Sequence, residues 1–228
     1  MILRMYTISL EPEHPLRFSL DVLRSFLNKR LAEYSALHMD DADRFLHRYP
    51  VLQCKQLKTE LIVTGISQGA GCLCQLTTDA TMLGNGESAC RITSRDPVIR
   101  SEPCGITDSF IPYEFLTPWI ALNQQNAKKF YDLNGKPERD AFLQKLLTAQ
   151  LLTLAKSLDC GITAPISCEA KVRFRRDRIG NENLMVFLGK FRTNLRIPDY
   201  LGLGRSVSQG YGTIKRIMED SGDASGRS

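Results

Sequence analysis

A chain of 228 residues, 24% of them charged and with a formal net charge of +5, is long enough for one large domain or two compact ones, and two are expected. No apolar run approaches membrane-spanning length and Met1-Ile2-Leu3-Arg4-Met5 turns polar too soon for a signal peptide, which predicts a soluble, cytoplasmic protein with no membrane partner. Seven cysteines, odd in number and with Cys72-Leu73-Cys74 as the only close pair, lack the two-residue spacing of a zinc knuckle and predict reduced thiols.

Residues 2–10 alternate β-favouring types and predict a strand. After Pro15, the series Leu16, Leu20, Leu23, Leu27 and Leu31 predicts an amphipathic helix ending near Ala32. A polar, acidic loop over 33–50 (Asp40, Asp41, Asp43) leads through Tyr49-Pro50 into strands at 51–56 and 60–65. A helix is predicted near 70–80, and Gly84-Asn85-Gly86 turns the chain into further strands across 88–115. The order β-α-β-β-α-β makes residues 1–110 one module.

Residues 123–131 predict a short helix, broken by Gly135-Lys136-Pro137. Phe142, Leu146, Ala149 and Leu152 mark a long amphipathic helix closed by Cys160-Gly161. Strands at about 166–176 and 184–192 flank the hairpin turn Gly180-Asn181-Glu182-Asn183. A glycine-rich run follows, Leu201-Gly202-Leu203-Gly204-Arg205-Ser206-Val207-Ser208-Gln209-Gly210-Tyr211-Gly212, and then a last strand near 211–217. Residues 111–218 form the second module, 219–228 a disordered tail, and the fold class is α+β.

Glycine permits positive φ and close backbone approach, so the run reads either as a tight turn or as a seat for phosphate oxygens. The charge around it favours phosphate. Between Lys171 and Arg216, three lysines and eight arginines face only Asp177, Glu182 and Asp199, a local +8 that leaves the rest of the chain net negative. Alternation along the first of these strands puts Arg173 and Arg175 on the face opposite Phe174, so the phenylalanine is expected to pack inward and the arginines to face phosphate. Trp119 is expected in the core. Gly65–Gly71 lacks the Gly-Lys-Ser/Thr ending of a phosphate-binding loop, and no carboxylate or Cys/His cluster has metal-ligand spacing, so neither cofactor nor metal is expected.

Four stretches occur in a telling order: Phe45-Leu46-His47-Arg48-Tyr49-Pro50-Val51-Leu52-Gln53-Cys54-Lys55 running on to Ile62–Gly69; Thr117-Pro118-Trp119-Ile120-Ala121-Leu122-Asn123-Gln124-Gln125-Asn126; Leu151-Leu152-Thr153-Leu154-Ala155-Lys156; and the glycine run. With them the chain resembles the CRISPR-associated repeat-processing endoribonucleases, the Cas-six family of the RAMP superfamily, and in particular their b-type branch. The resemblance implies tandem ferredoxin-like domains, a C-terminal glycine-rich loop and CRISPR repeat RNA as partner, with effector-complex subunits or a second copy of the chain as further partners. It also implies RNA cleavage without a metal, in which the 2′-OH attacks the adjacent phosphate to leave a 2′,3′-cyclic phosphate and a 5′-OH.

Such a step needs a base, an acid and a cation, and histidine suits both proton roles. The catalytic candidates are His38, in the loop after the first helix where the family places a histidine; His47; Lys29, at the helix end, as cation; and Tyr49, as orienting group or proton donor. His14, beside Pro15, reads as a turn residue. The RNA-binding candidates are Arg173, Arg175, Arg176, Arg192, Gly202, Gly204, Arg205, Gly210 and Gly212. The b-type branch is expected to carry a second histidine two positions after the first and a tyrosine before Arg-Tyr-Pro, where this chain has Asp40 and His47. That departure keeps a second reading open, a non-cleaving RNA-binding subunit of the same fold.

Overall fold

The computed structural model describes residues 1–38, 49–58, 60–78, 80–93, 99–179 and 182–218. Its first sheet is built around β1 (Ile2–Pro12), which pairs antiparallel with β3 (Glu60–Ile66); β2 (Leu52–Leu57) lies outside β3. Along its other edge β1 pairs first with β6 (Arg100–Pro103) and then with β5 (Cys90–Ile92), which carries the short β4 (Met82–Leu83). With α1 (Leu20–His38) and α2 (Gln68–Thr78) as crossovers, the order β2-β3-β1-β5 is the ferredoxin-like arrangement. The second sheet repeats it with β7 (Gly105–Phe115), β8 (Cys168–Ile179), β9 (Glu182–Arg196) and β10 (Ile214–Arg216) in the order β10-β7-β9-β8.

The first crossover of the second sheet holds α3 (Gln124–Asp132) and α4 (Lys136–Ser157). Its second crossover has no α-helix. The glycine run stands there instead, with a single 3-10 turn at Val207–Gln209. The chain leaves the first sheet after Pro103 and enters the second at Gly105, so the division expected at 110 falls within β7.

Strand β1 feeds two cores. Tyr6, Ile8 and Leu10 enter the cluster beneath the helices with Leu23, Leu27 and Leu73, whereas Leu3 and Met5, joined by Ile66, enter a second cluster with Trp119, Leu147 and Phe187. Because both faces of the strand are committed, a one-residue slip would misplace both sets, and the two domains are locked in register with each other. Trp119 is fully buried and stacks on Phe115, with ring centroids 5.2 Å apart.

Three expectations require correction. Helix α1 begins at Leu20, because a turn closed by the Arg17 N–H on the His14 carbonyl leaves Leu16 exposed, and Ser19 caps the helix by accepting the Val22 N–H at 3.4 Å. It ends at His38 rather than near Ala32, since Tyr34 continues the i+3/i+4 series and sets its ring against Gly71 of α2, where any larger residue would collide. His38 is therefore the last helical residue, and Lys29 lies mid-helix. The cysteines are not all reduced: Cys104 and Cys160, 56 residues apart in sequence, form a disulfide with Cα atoms 6.1 Å apart, while Cys54, Cys72, Cys74, Cys90 and Cys168 are free. Spacing along the chain carries no trace of that pair, which only the fold brings together. Among the described residues, no helix is long and apolar enough to cross a membrane.

The face of the first sheet that meets the second domain turns polar along β2 and β3, where Gln53, Lys55 and Thr64 are all fully buried. Lys55 Nζ donates to Gln53 Oε1 at 2.6 Å, and no carboxylate pairs with it among the described residues. Burial pushes the ammonium down to about 7, against a lesser opposing contribution from Cys54. An unfolded lysine titrates near ~10.4, so above pH ~7 the unfolded chain holds the extra proton and stability rises with pH. Above pH ~8.5 the buried thiols reverse the trend, because Cys54, pushed up to about 12, keeps a proton that the unfolded chain releases. Thermal melts should therefore show Tm rising between pH 7 and about 8.5, and Lys55→Met should flatten that rise. An unchanged slope in the variant would contradict a buried, mostly neutral lysine.

Candidate nucleic-acid interface

The glycine run is folded onto both domains at once. Gly202 bridges to Thr213, the Leu203 N–H donates to the Gly212 carbonyl at 2.9 Å, the Gly212 N–H to Pro118 at 2.8 Å, and the Arg205 N–H to Ile120 at 3.1 Å. Gly204, Gly210 and Gly212 have φ of 91°, 86° and 64°, in the left-handed region that favours glycine. A Cβ at Gly204 would lie 2.7 Å from the Ile120 carbonyl oxygen and 2.8 Å from Trp119 Cδ1; at Gly210, 2.8 Å from the Cys54 oxygen; at Gly212, against the Leu203 oxygen. The space these glycines leave is thus filled by the protein's own backbone and indole. Outward contacts of the segment fall to groups such as Arg205, which is exposed and whose Nη1 donates to the Leu122 carbonyl at 3.2 Å.

Tyr49 holds the start of this segment. Its hydroxyl accepts the Gly202 N–H at 3.0 Å and donates to the Gly202 carbonyl at 2.8 Å, and the Gln53 side chain is a further partner. Burial pushes the phenol well above the usual tyrosine range, so it stays protonated. A chain of hydrogen bonds therefore runs from Lys55 through Gln53 and Tyr49 into the glycine segment.

The other catalytic candidates are placed unevenly. His38 ends α1, and its position continues the series Arg24, Asn28, Leu31, Ser35 along one stripe of the helix. Lys29 is exposed and stands nine residues earlier, about 13 Å along the helix axis, so the helix does not set the two side by side. Asp40 and His47 lie outside the described residues. His14 lies in the turn ahead of α1.

On the hairpin of β8 and β9, Arg173 and Arg176 are exposed with no acidic partner among the described residues, as are Lys171 and Lys190. Arg175 pairs with Asp177 at 2.9 Å, and Arg192 pairs with Glu169 at 2.7 Å while lying 5.5 Å over the Phe110 ring. The hairpin reaches the glycine segment, where Asp177 contributes, after burial, to an upward shift of the Tyr211 phenol. One expectation fails here: Phe174 is 54% exposed, although its cross-strand partner Phe187 is 1% exposed. Strand alternation does put it on the helix-covered face, but it joins neither buried cluster.

With this geometry in hand, the comparison with known families is decisive: the Cas6b N-terminal domain matches residues 1–102 and the Cas6b C-terminal domain residues 105–217. The chain belongs to the Cas6b family. A solved Cas6b, described as a CRISPR RNA processing endoribonuclease, is 25% identical with a TM-score of 0.70 over 95% of this chain and all of its own. A second Cas6b structure, at 24% identity and a TM-score of 0.66, shares the fold over the same extents, as does a Cas6 product complex at 16% and 0.57 over 96% of this chain. An uncharacterized protein of Methanocaldococcus jannaschii is 30% identical over 135 residues, 57% of this chain and 88% of its own.

Within this Cas6b chain, sequence reasoning missed the Lys55–Gln53 pair and the groups that fill the glycines' Cβ positions. Gln-x-Lys in a strand whose neighbours are apolar was a usable signal for the first. For the second, two alanine substitutions are informative: Gly212→Ala, strained at positive φ and facing the Leu203 carbonyl, should lower Tm and loosen the segment, whereas the control Gly86→Ala in the first domain, also at positive φ but with open space around its Cβ, should be milder. Equal effects at the two positions would contradict the packing described.

Proposed function

We propose that the protein is a metal-independent endoribonuclease that cleaves CRISPR repeat RNA into guide units. The observation that carries this reading is a Cas6b fold that combines a hairpin whose Arg173 and Arg176 have no acidic partner among the described residues with a glycine segment packed against β2 and α1. The 3-10 turn of the glycine segment rests against β2 and α1, which bears His38 as its last residue. Arg173, Arg176 and Arg205 bind phosphate and hold the strand in register, and base identity is read elsewhere. His38 and His47 divide the two proton transfers, from the 2′-OH and to the leaving 5′ oxygen, whereas Lys29, about 13 Å along the helix from His38, is left out of the reacting centre. Tyr49, whose proton is given to Gly202, acts as a positioning residue for the segment.

A second reading, a subunit that binds without cleaving, is favoured by Asp40, which stands where the family resemblance calls for a histidine. Labelled repeat RNA incubated with the protein in EDTA separates the two. Product ending in a 2′,3′-cyclic phosphate supports cleavage, a mobility shift without product supports the binding subunit, and neither product nor shift contradicts both. His38→Ala should slow cleavage at least about a hundredfold with affinity nearly unchanged, because a positioned acid or base contributes that much to the step and little to binding. Replacing Arg173 and Arg176 by alanine should weaken binding across RNA sequences and flatten its salt dependence by roughly one unit of log–log slope per lost phosphate contact. A salt slope that stays at the wild-type value would remove the hairpin from the interface.

A further inference from the structure

We propose that the hollow between the first turn of α4 and the β8 strand is a second RNA subsite, seating one unpaired nucleotide with its base on Phe174 and its phosphate between Lys136 and Arg173. The inference rests on the RNA-processing reading and adds a site to it.

The hollow encloses about 380 Å³, within the range of small-ligand sites. Its floor is apolar, made by Leu143, Val172 and Phe187, and Phe174 forms an exposed aromatic wall. An isolated phenylalanine that gives up half its surface to water has forfeited the burial its partner Phe187 enjoys, and it lies among cations. Lys136, Arg139 and Arg173 line the same hollow against a single carboxylate, Asp140. Lys136 and Arg173 have no acidic partner among the described residues. Arg139 is held in place, 5.6 Å over the Phe130 ring with Nη2 donating to the Leu133 carbonyl at 3.3 Å, yet its buried Nε has no partner.

An aromatic face flanked by fixed and mobile cations suits a nucleotide, because any base can stack and every nucleotide brings a phosphate. A purely apolar partner would leave Lys136 and Arg173 unmet. The hollow is also continuous with the proposed interface: β8 is the outer strand of its sheet, and Arg173 and Arg175 alternate with Phe174 along it, so RNA crossing the basic face reaches the hollow by rounding that edge. Stacking without base-edge hydrogen bonds makes the subsite tolerant of sequence.

The test measures affinity for the full repeat RNA and for repeats shortened stepwise from each end, using wild type, Phe174→Ala, Phe174→Trp and Lys136→Gln. Phe174→Ala should weaken the full repeat by about 5- to 100-fold, the range expected for one lost stacked base, with Tm unchanged; Phe174→Trp should bind like wild type. Lys136→Gln should lower the salt slope by about one contact. One series of shortened repeats should erase the difference between wild type and Phe174→Ala, which locates the seated nucleotide. Equal affinities of wild type and Phe174→Ala for the full repeat would overturn the subsite while leaving the RNA-processing reading intact, as would an equal loss on every shortened repeat. Failure of the wild type to bind any repeat RNA would overturn both.

Discussion

The hydrogen bonds between the Tyr49 hydroxyl and the two backbone groups of Gly202 couple the domains at the point where their structures are least alike. Tyr49 belongs to the entrance of β2 in the first domain; Gly202 opens the segment that replaces a helix in the second. A glycine-rich segment loses more conformational entropy on ordering than a helix of the same length would, and Leu201, Leu203 and Val207 are the few apolar side chains it buries. The rest of its order comes from outside. Tyr49, the Thr117 hydroxyl that donates to Gly210 at 2.6 Å, and the backbone bonds to Pro118 and Ile120 provide it. Behind Tyr49 stand Gln53 and Lys55, so a fully buried polar chain, costly if any member were unpaired, fixes the tyrosine itself.

The remaining architecture serves that junction. Strand β1 divides its side chains between two cores and thereby sets the relative position of the domains before any RNA arrives. Trp119 presses the glycine segment from below, its indole N–H anchored on Gln150 at 2.7 Å, and a side chain at Gly204 would strike its ring. What is left facing outward is the charge: a hairpin whose Arg173 and Arg176 are unmatched among the described residues, near a backbone held in place by both domains. Counterion release from such a surface gives affinity for a polyanion without sequence preference, so in the proposed reaction the choice of cleavage site falls to the group that positions the 2′-OH.

Local patterns made much of this legible. The strand and helix order of the first domain, the break at Gly135 and the hairpin follow from periodicity and turn residues, the lone Trp119 is expected in the core and lies there, and the glycine run with its surrounding charge marks the candidate interface. What escaped depended on contacts distant in sequence. The Cys104–Cys160 disulfide joins positions that meet only in the folded chain, and α1 outlasts its leucines because Tyr34 finds Gly71 on another helix. Phe174 follows strand alternation faithfully and is still exposed, since alternation assigns a face but not what covers it. The glycine run leaves two readings open, a tight turn and a phosphate seat, and only the fold shows that the Cβ positions of Gly204, Gly210 and Gly212 are taken by Trp119, Ile120, Cys54 and Leu203.

The central claim, that Tyr49 orders the glycine segment for RNA, is tested most directly by amide hydrogen exchange over residues 201–214 in wild type and Tyr49→Phe, paired with repeat-RNA affinity. The account predicts faster exchange in this window, little change in the helices of either domain, and a weaker complex whose RNA restores protection to the segment. Wild-type exchange and affinity in Tyr49→Phe would contradict it, and would mean that the segment is ordered without the tyrosine.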